Sequence, residues 1–458
     1  MRKIFSFIND RTPLFLVTPH DRTIGNTAEE IYFSFLYARR FNKKVILLRR
    51  LSLFGIPQIS NREAFRLRSP QSFPFCYGFF QFIGNLVVTV FFGIIPATIL
   101  YWKLNFSRLC KLVPELISFC LHPRGRSRPR VGYHYFRSQF NYVGIGTERI
   151  WNRRQLDHFS WADADSTDWK KELGEFLPVA MSGPAVSLCK EQTVQMGLPA
   201  DAWYICLHVR EGGFYGDKTA ARNSDIMKSL KMIQAITQLG GWVIRMGDRS
   251  MRPLPKMEKV IDYPFTEFKS EAMDLHLIQN CKFYMGSNSG ILDCALLFQK
   301  RFIVINDCEW SLAFPARKNS LAIMKHVFSK RLNRFLSIQE LLQEPFSWQD
   351  LHIFGKDYVF VENTPDEILE VATEMLSQDQ DPVYSYSSKQ EEFILRRKKQ
   401  IVDWFSHGLL WETQEADVFG KYRISSRATC SEGTLGRAFL EKNWSHNHLN
   451  DLKDQKPL

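Results

Sequence analysis

Apolar and polar positions alternate in two series along the chain. The first is "PLFLVTPHDRTIGNTAEEIYFSFLYARRFNKKVILLRR". Its spacing predicts a strand over Pro13–Val17, a polar loop from Thr18 to Asn26, and a helix over Thr27–Phe41. Ala28, Ile31, Tyr32, Phe35 and Leu36 recur at helical intervals, and Val45–Leu48 follows as a second strand. Strand, helix and strand in this order fold as a βαβ unit with parallel strands.

The second series is longer. Val186–Met196 predicts a short helix closed by Gly197. "WYICLHVR" is an apolar strand. "SDIMKSLKMIQAITQLGG" is a helix with Ser224 as its N-cap and Gly240 near its C-cap. "WVIRMGD" and "KVIDYP" are strands, and "SEAMDLHLIQNC" is a helix capped by Ser270. "KFYMGSNSG" is a strand entering a loop, "ILDCALLFQK" a helix and "RFIVIND" a strand. "ENTPDEILEVATEML" (362–376) closes the series as a helix, with Pro365 and two acids in its first turn. This is the pattern of one doubly wound α/β domain. Residues 377–394 read as a polar linker, and Phe393–Phe405 and "GRAFLEKNW" as helix beyond it.

One stretch fits neither series. Residues 73–102, "FPFCYGFFQFIGNLVVTVFFGIIPATILYW", contain no charged residue over 30 positions. That length can span a bilayer. Arginines 62, 66 and 68 precede it, and Lys103, Arg108, Lys111 and "RGRSRPR" follow it, so the flanking charges favour neither orientation. Gly84, Gly93 and Pro96 can bend the run into a shallow hairpin. A monotopic or interfacial segment is the expectation, and a buried helix pair is the alternative.

Charge sharpens this picture. The chain of 458 residues carries a formal net charge of +12. Residues 1–154 hold 24 Lys and Arg against 7 Asp and Glu, and the remainder is net negative. A basic first third attracts phosphates or anionic lipid headgroups. No zinc-finger or RNA-recognition signature accompanies it, so a membrane surface is expected rather than nucleic acid. The nine cysteines form no C-x-x-C pair, and several stand in apolar runs, which suits free buried thiols.

Candidate chemistry collects at strand ends. In "ICLHVREGG", His208 and Arg210 share one face of a strand, because side chains alternate. They stand at its carboxyl end, where open α/β sheets bind ligands. An arginine there offers a planar fork to phosphate oxygens, or else makes a structural ion pair with Asp225 or Asp248. In "MGSNSGILD", Ser287, Asn288, Ser289 and Gly290 lead into a helix, a geometry for phosphate or for plain N-capping by Ser289. In "RMGDRS", Asp248 is a candidate for a ribose hydroxyl or a base N–H, or for turn chemistry. In the first series, His20, Asp21, Arg22, Gly25 and Asn26 form the loop before the helix. "DAD" (163–165) and "DQD" (379–381) follow no apolar strand and read as solvated acids. P-loop, G-x-G-x-x-G and G-x-S-x-G motifs are absent from the sequence.

"HVREGG", "GDK", "RNSDI", "GGWVIRMGD" and "FYMGSNSG" together resemble a bacterial group of glycosyltransferases, distantly similar to fucosyltransferases that carry an H-x-R motif. The resemblance covers about residues 200–310 and is thinner over 10–50 and the C-terminal end. It implies a GT-B fold, two Rossmann-like domains facing a cleft, here with an apolar helical, membrane-associated insertion at about 73–121. The implied domains are an acceptor-side domain over 1–175, a nucleotide-sugar domain over 176–376, and a linker with a helical tail over 377–458. It further implies an inverting, metal-independent enzyme with no cofactor and a nucleotide-sugar donor such as GDP-fucose. Arg210 matches the family arginine on the donor diphosphate and His208 the histidine before it. Asp248 matches an acid on the base, and Ser287 and Ser289 a hydroxyl loop near the phosphates. Where relatives often have a second arginine this chain has Glu211, which departs from the pattern beside the leaving diphosphate. His20, Asp21, Glu29 and Glu211 are candidate bases. The expected acceptor is a glycan or lipid-linked saccharide for surface polysaccharide, at the cytoplasmic face of a membrane. Other nucleotide-dependent transferases, of pyruvyl or phosphoglycosyl type, and a non-catalytic membrane-bound scaffold are the competing readings.

Overall fold

The computed structural model describes residues 14–17, 24–40, 42, 44–47, 61–70, 72, 85–86, 149–152, 155–157, 179–213, 221–308, 317–343, 358–381, 384–406 and 432–445. Apart from residues 85–86, the apolar run 73–102 lies outside them, as do His20, Asp21, Arg22 and the acids of 163–165. Among the described residues no helix is long and apolar enough to cross a membrane. The chain divides into two compact units, Met1–Ser182 and Gly183–Leu458.

In the first unit, β1 (Leu14–Val17) pairs in parallel with β2 (Lys44–Leu47), and α1 (Ile24–Arg40) connects them. This is the βαβ unit that the periodicity predicts. Thr27, Ala28, Ile31, Phe35 and Ala38 line the buried stripe of α1, each with no solvent exposure. The helix begins three residues earlier than its apolar spacing suggests, so Gly25 and Asn26 belong to its first turn rather than to the preceding loop. The rest of the described sheet is antiparallel: β3 (Arg149–Asn152) runs against β1, and β4 (Gln155–Asp157) against β3. Two residues join β3 to β4, too few for a crossover, so the pair can only be antiparallel.

The second unit is built on seven parallel strands in the order β14-β10-β9-β8-β5-β6-β7. They are β5 (Tyr204–His208), β6 (Trp242–Arg245), β7 (Val260–Asp262), β8 (Tyr284–Gly286), β9 (Phe302–Asp307), β10 (Leu321–Met324) and β14 (Thr434–Leu435). Every residue of β5, β8, β9 and β10 is buried. That is the signature of strands covered on both faces, and it explains why their sequences are apolar runs rather than alternations. α2 (Pro184–Gln195), α3 (Leu230–Gln238), α4 (Glu271–Asn280), α5 (Leu292–Leu297) and α7 (Pro365–Gln380) are among the helices of this unit. Met232, Ile233 and Ile236 of α3 and Met273, Leu277 and Ile278 of α4 are buried, each such side chain stabilising the fold by roughly 1.5–3 kcal/mol.

Local signals set several boundaries. Ser270 accepts a hydrogen bond from the Met273 N–H and caps α4. Thr364 and Glu367 form a reciprocal capping box on α7, with Pro365 in the first turn. The helix expected from Ser224 instead starts as a 3-10 turn, Ile226–Ser229, capped by Asp225, and continues as α3. The Asp225 carboxylate accepts from the Met227 N–H at 2.9 Å, and the Ser224 N–H is already taken by the Arg210 carbonyl.

Beyond β10 the chain forms a small antiparallel sheet, β12-β11-β13, from β11 (His326–Ser329), β12 (Arg334–Phe335) and β13 (Tyr358–Val361). α6 (Ile338–Leu341) follows β12. The C-terminal residues belong to the second unit as well. α8 spans Ser388–Ser406, starting inside the polar stretch that reads as linker. β14 then adds the edge strand beside β10, and α9 (Arg437–Asn443) follows it. In "DQD", Asp379 pairs with Lys282 at 2.9 Å and with Arg301, so this acid serves a structural ion-pair cluster.

Candidate binding crevice at the β5–β8 switch point

The strand order carries the site. From β5 the chain moves outward through β6 and β7, then returns to the other side of β5 as β8 and moves outward again through β9 and β10. The winding therefore reverses between β5 and β8. At such a switch point the loops leaving the two strands diverge and open a crevice at the carboxyl ends. His208 ends β5, and Ser287 follows β8.

The two strand ends are fastened across the crevice. The Ser287 N–H donates to the His208 carbonyl at 3.0 Å, and the Arg210 N–H donates to Ser287 Oγ at 2.7 Å. Ser289 Oγ and His208 Nδ1 are hydrogen-bonded at 3.0 Å. The backbones approach so closely that a Cβ on Gly286 would lie 2.2 Å from the His208 carbonyl oxygen. On the other flank, Gly247 has φ +137°, which L side chains rarely adopt, and turns the chain after β6 beside the imidazole of His208. Asp248 follows it. Its Oδ1 accepts from the Ser250 N–H at 2.8 Å, so the carboxylate also shapes the turn. Arg245, fully buried, ties this loop down through Asp262 at 2.9 Å and the Arg252 carbonyl at 3.0 Å.

His208, Arg210, Ser287 and Ser289 are thus one bonded cluster, with Asp248 in the adjoining turn. The arrangement differs from the helix-end cradle expected of "SNSGILD". α5 starts only at Leu292 and is six residues long, and no side chain caps it. Ser287 and Ser289 turn their hydroxyls across to β5 instead of toward the helix, and the Ser287 N–H is spent on His208. Gly290 lies in the turn before α5, its carbonyl accepting from the Asp293 N–H. Glu211 also has a structural partner: its Oε2 accepts from the Arg252 N–H at 2.6 Å and joins the loops after β5 and β6.

Electrostatics separate the roles. Burial, reinforced by the Arg245 guanidinium and opposed by Asp248, pushes the His208 imidazole down to about 3. It is neutral at physiological pH and too weak a base to take a proton from a hydroxyl efficiently. Its geometry suits a ring that holds Ser289. Arg210 is 9% exposed, its Nε donating to Asn223 Oδ1 at 3.2 Å and fixing the plane of the guanidinium. Asn288 is 7% exposed, and its Nδ2 has no hydrogen-bond partner among the described residues. The same holds for the hydroxyl of Ser224, also buried. A buried donor without a partner is costly unless a ligand supplies an acceptor.

Asn223 and Lys325 escaped the sequence reading. Lys325 lies just past β10, buried, with Nζ donating to the Asn223 carbonyl at 2.6 Å. The available signal was a lone lysine inside the apolar run "LAIMKHVF". Burial holds its ammonium below the usual lysine value, with the Glu362 carboxylate opposing. Of the other predicted residues, Gly25 is buried in α1, the side chain of Asn26 is outside the described residues, and so are His20, Asp21 and Arg22. Among the described residues no group of three or more His, Cys, Asp or Glu side chains is placed to hold a metal ion.

No family model matches the chain, and no curated protein matches it. Similar solved structures include a glycosyl transferase family 9 protein from Veillonella parvula DSM 2008, 8% identical, at a TM-score of 0.33. That match covers 44% of this chain and 54% of the other, so the chain spans about half the length of that protein. A second is the E. coli ADP-heptose LPS heptosyltransferase II, 11% identical, at a TM-score of 0.34 over 81% of this chain and 100% of that one. A third is the iron-containing dodecameric glycosyltransferase TibC from enterotoxigenic E. coli H10407, 13% identical, at a TM-score of 0.28 over 66% and 61%.

Proposed function

We propose that the chain is a glycosyltransferase whose second unit binds a nucleotide sugar in the β5–β8 crevice. One observation carries the reading: Arg210 stands at the switch point with its main chain clamped by Ser287 and Ser224 and its guanidinium oriented by Asn223. Around it are unpartnered buried donors, the Asn288 amide and the Ser224 hydroxyl. A donor-rich, cationic, buried crevice calls for a ligand rich in anionic oxygens, and a diphosphate meets that need.

In the transfer step the sugar–oxygen bond to the diphosphate breaks as the acceptor hydroxyl attacks the anomeric carbon from the opposite face. The leaving diphosphate keeps the electron pair, and Arg210 stabilises the charge that develops on it. An in-line displacement inverts the anomeric centre. A fixed guanidinium supplies the positive charge that a divalent metal supplies elsewhere, so the reaction proceeds without one. The acceptor hydroxyl gives its proton to a general base; Glu211, the candidate base of this unit, has one carboxylate oxygen engaged with the Arg252 N–H.

A thermal-unfolding panel of adenosine, guanosine and uridine diphosphates and their sugar conjugates, GDP-fucose included, tests the donor. A ligand held only by the native state raises the melting temperature. One nucleotide family is expected to give a saturable rise. No rise with any of them would remove the donor site, and a rise without sugar transfer to any acceptor would favour the scaffold reading.

The acceptor belongs, in the same proposal, to a membrane surface. The support is the excess of 17 positive charges in residues 1–154 beside the uncharged run 73–102. The full chain is expected to sediment with anionic vesicles, and a 73–102 deletion to stay in the supernatant. Equal recovery of the two in the supernatant would sink the membrane assignment.

A further inference from the structure

We propose that Lys325 is a second anion-binding cation of the crevice, acting with Arg210 on the two phosphoryl groups of a diphosphate. The inference rests on the reading that the crevice takes a diphosphate, and it adds a residue just past β10 to a site otherwise built at the ends of β5, β6 and β8.

Asn223 joins the two cations. Arg210 Nε donates to its side-chain oxygen at 3.2 Å, and Lys325 Nζ donates to its main-chain oxygen at 2.6 Å. Two cations that hold the two oxygens of one asparagine are separated by no more than that residue and two hydrogen bonds. Arg210 and Lys325 are therefore bridged by a single residue, although β8 and β9 separate β5 from β10.

Lys325 is under-satisfied where it stands. An ammonium has three donors. The Asn223 carbonyl is its only hydrogen-bond acceptor among the described residues, and Lys325 is 5% exposed. The nearby carboxylate, Glu362, is already engaged: it accepts from the Asp225 N–H at 3.1 Å and pairs with Lys228 at 3.5 Å. Burying a charge is costly unless it is paired and hydrogen-bonded, and a neutral carbonyl alone does not pair it. An anionic oxygen in the crevice would. Two buried donors without partners belong to neighbouring residues: the hydroxyl of Ser224, whose N–H holds the Arg210 carbonyl, and the amide of Asn288, which follows the serine that holds the Arg210 N–H. Two cations so linked favour a ligand with two negative groups over one with a single negative group.

A purely architectural lysine, pinning residues 222–225 to the sheet edge, makes a different prediction. Glutamine at 325 keeps an N–H for the Asn223 carbonyl but loses the charge. Calorimetric titration of the full chain with inorganic pyrophosphate and with inorganic phosphate separates the two. Wild type is expected to prefer pyrophosphate. Lys325→Gln and Lys325→Met are each expected to weaken pyrophosphate roughly tenfold or more, and Lys325→Arg to keep most of the affinity. Wild-type affinity in Lys325→Gln, with a circular-dichroism melt confirming the fold, would overturn the proposal. If Lys325→Met fails to fold, the glutamine and arginine variants still decide. Arg210→Ala separates the inference from the reading beneath it. Loss of pyrophosphate binding in Arg210→Ala but not in Lys325→Gln would remove Lys325 and leave the crevice as a diphosphate site. Absence of pyrophosphate binding in the wild type would remove both.

Discussion

Arg210→Ala is expected to lower sugar transfer by about 10²–10³-fold while leaving the fold in place. The magnitude follows from where the charge goes. In the proposed transfer the leaving diphosphate gains negative charge in the transition state, and in a buried crevice a fixed cation would act on it more strongly than in water. The fold should survive because the main chain at 210 makes its own bonds. The N–H is held by Ser287 Oγ and the carbonyl by the Ser224 N–H, and neither depends on the side chain. The lost Nε bond to Asn223 Oδ1 contributes about 1 kcal/mol to the cost in stability. Steady-state release of nucleoside diphosphate, paired with a melting curve, measures both. Arg210→Lys should recover only part of the loss, because an ammonium lacks the planar fork and the Nε that Asn223 orients. Transfer within threefold of wild type in Arg210→Ala would show that the crevice is not where the donor reacts.

That His208 stands at the carboxyl end of one strand and Ser287 just past the end of another was legible from the apolar runs alone. Periodicity also located the helices around them, because each has one apolar stripe to bury. What could not be read was the strand order. That β8 returns to lie against β5, and that β14 comes from the far C-terminal end to cover β10, are pairings between residues far apart in sequence. Yet the strand order is what makes a crevice of the two strand ends. The same limit explains Lys325 and Asn223. Each looks ordinary in its own segment, and their relation to Arg210 exists only once β10 and the 222–225 segment are side by side. The misplaced caps have a smaller cause. Ser224 and Ser289 are good N-cap residues by type, but neither caps a helix: Asp225, one residue on, takes the cap beside Ser224, and the Ser289 hydroxyl goes to His208. Residues near a site are more prone to this than Ser270, whose surroundings left its hydroxyl for Met273.

Acidification from pH 7 to pH 5 is expected to cost the second unit about 2 kcal/mol through His208 alone. The imidazole titrates at about 3 in the folded chain and at 6.5 when exposed. Between those values the unfolded chain binds a proton there and the folded chain does not. Folded stability is therefore full above pH 6.5 and falls on acidification, by about 1.4 kcal/mol per pH unit, until the folded imidazole itself titrates. His276, also held low by burial, adds a slope of the same sign, so the wild-type curve alone does not isolate His208. His208→Asn does. An asparagine places a polar atom about where Nδ1 meets Ser289, so the crevice contact can persist, and the new side chain does not titrate. Urea unfolding at a series of pH values between 5 and 7.5 should then give a shallower slope for the variant, by about one proton, with the two curves converging toward the upper end. The window stays above the carboxylate range, which keeps Glu367 and its lowered value out of the comparison. Parallel slopes for wild type and variant would mean that water reaches the imidazole in the folded chain. The crevice would then be open at its floor, and His208 would become available as a proton acceptor after all.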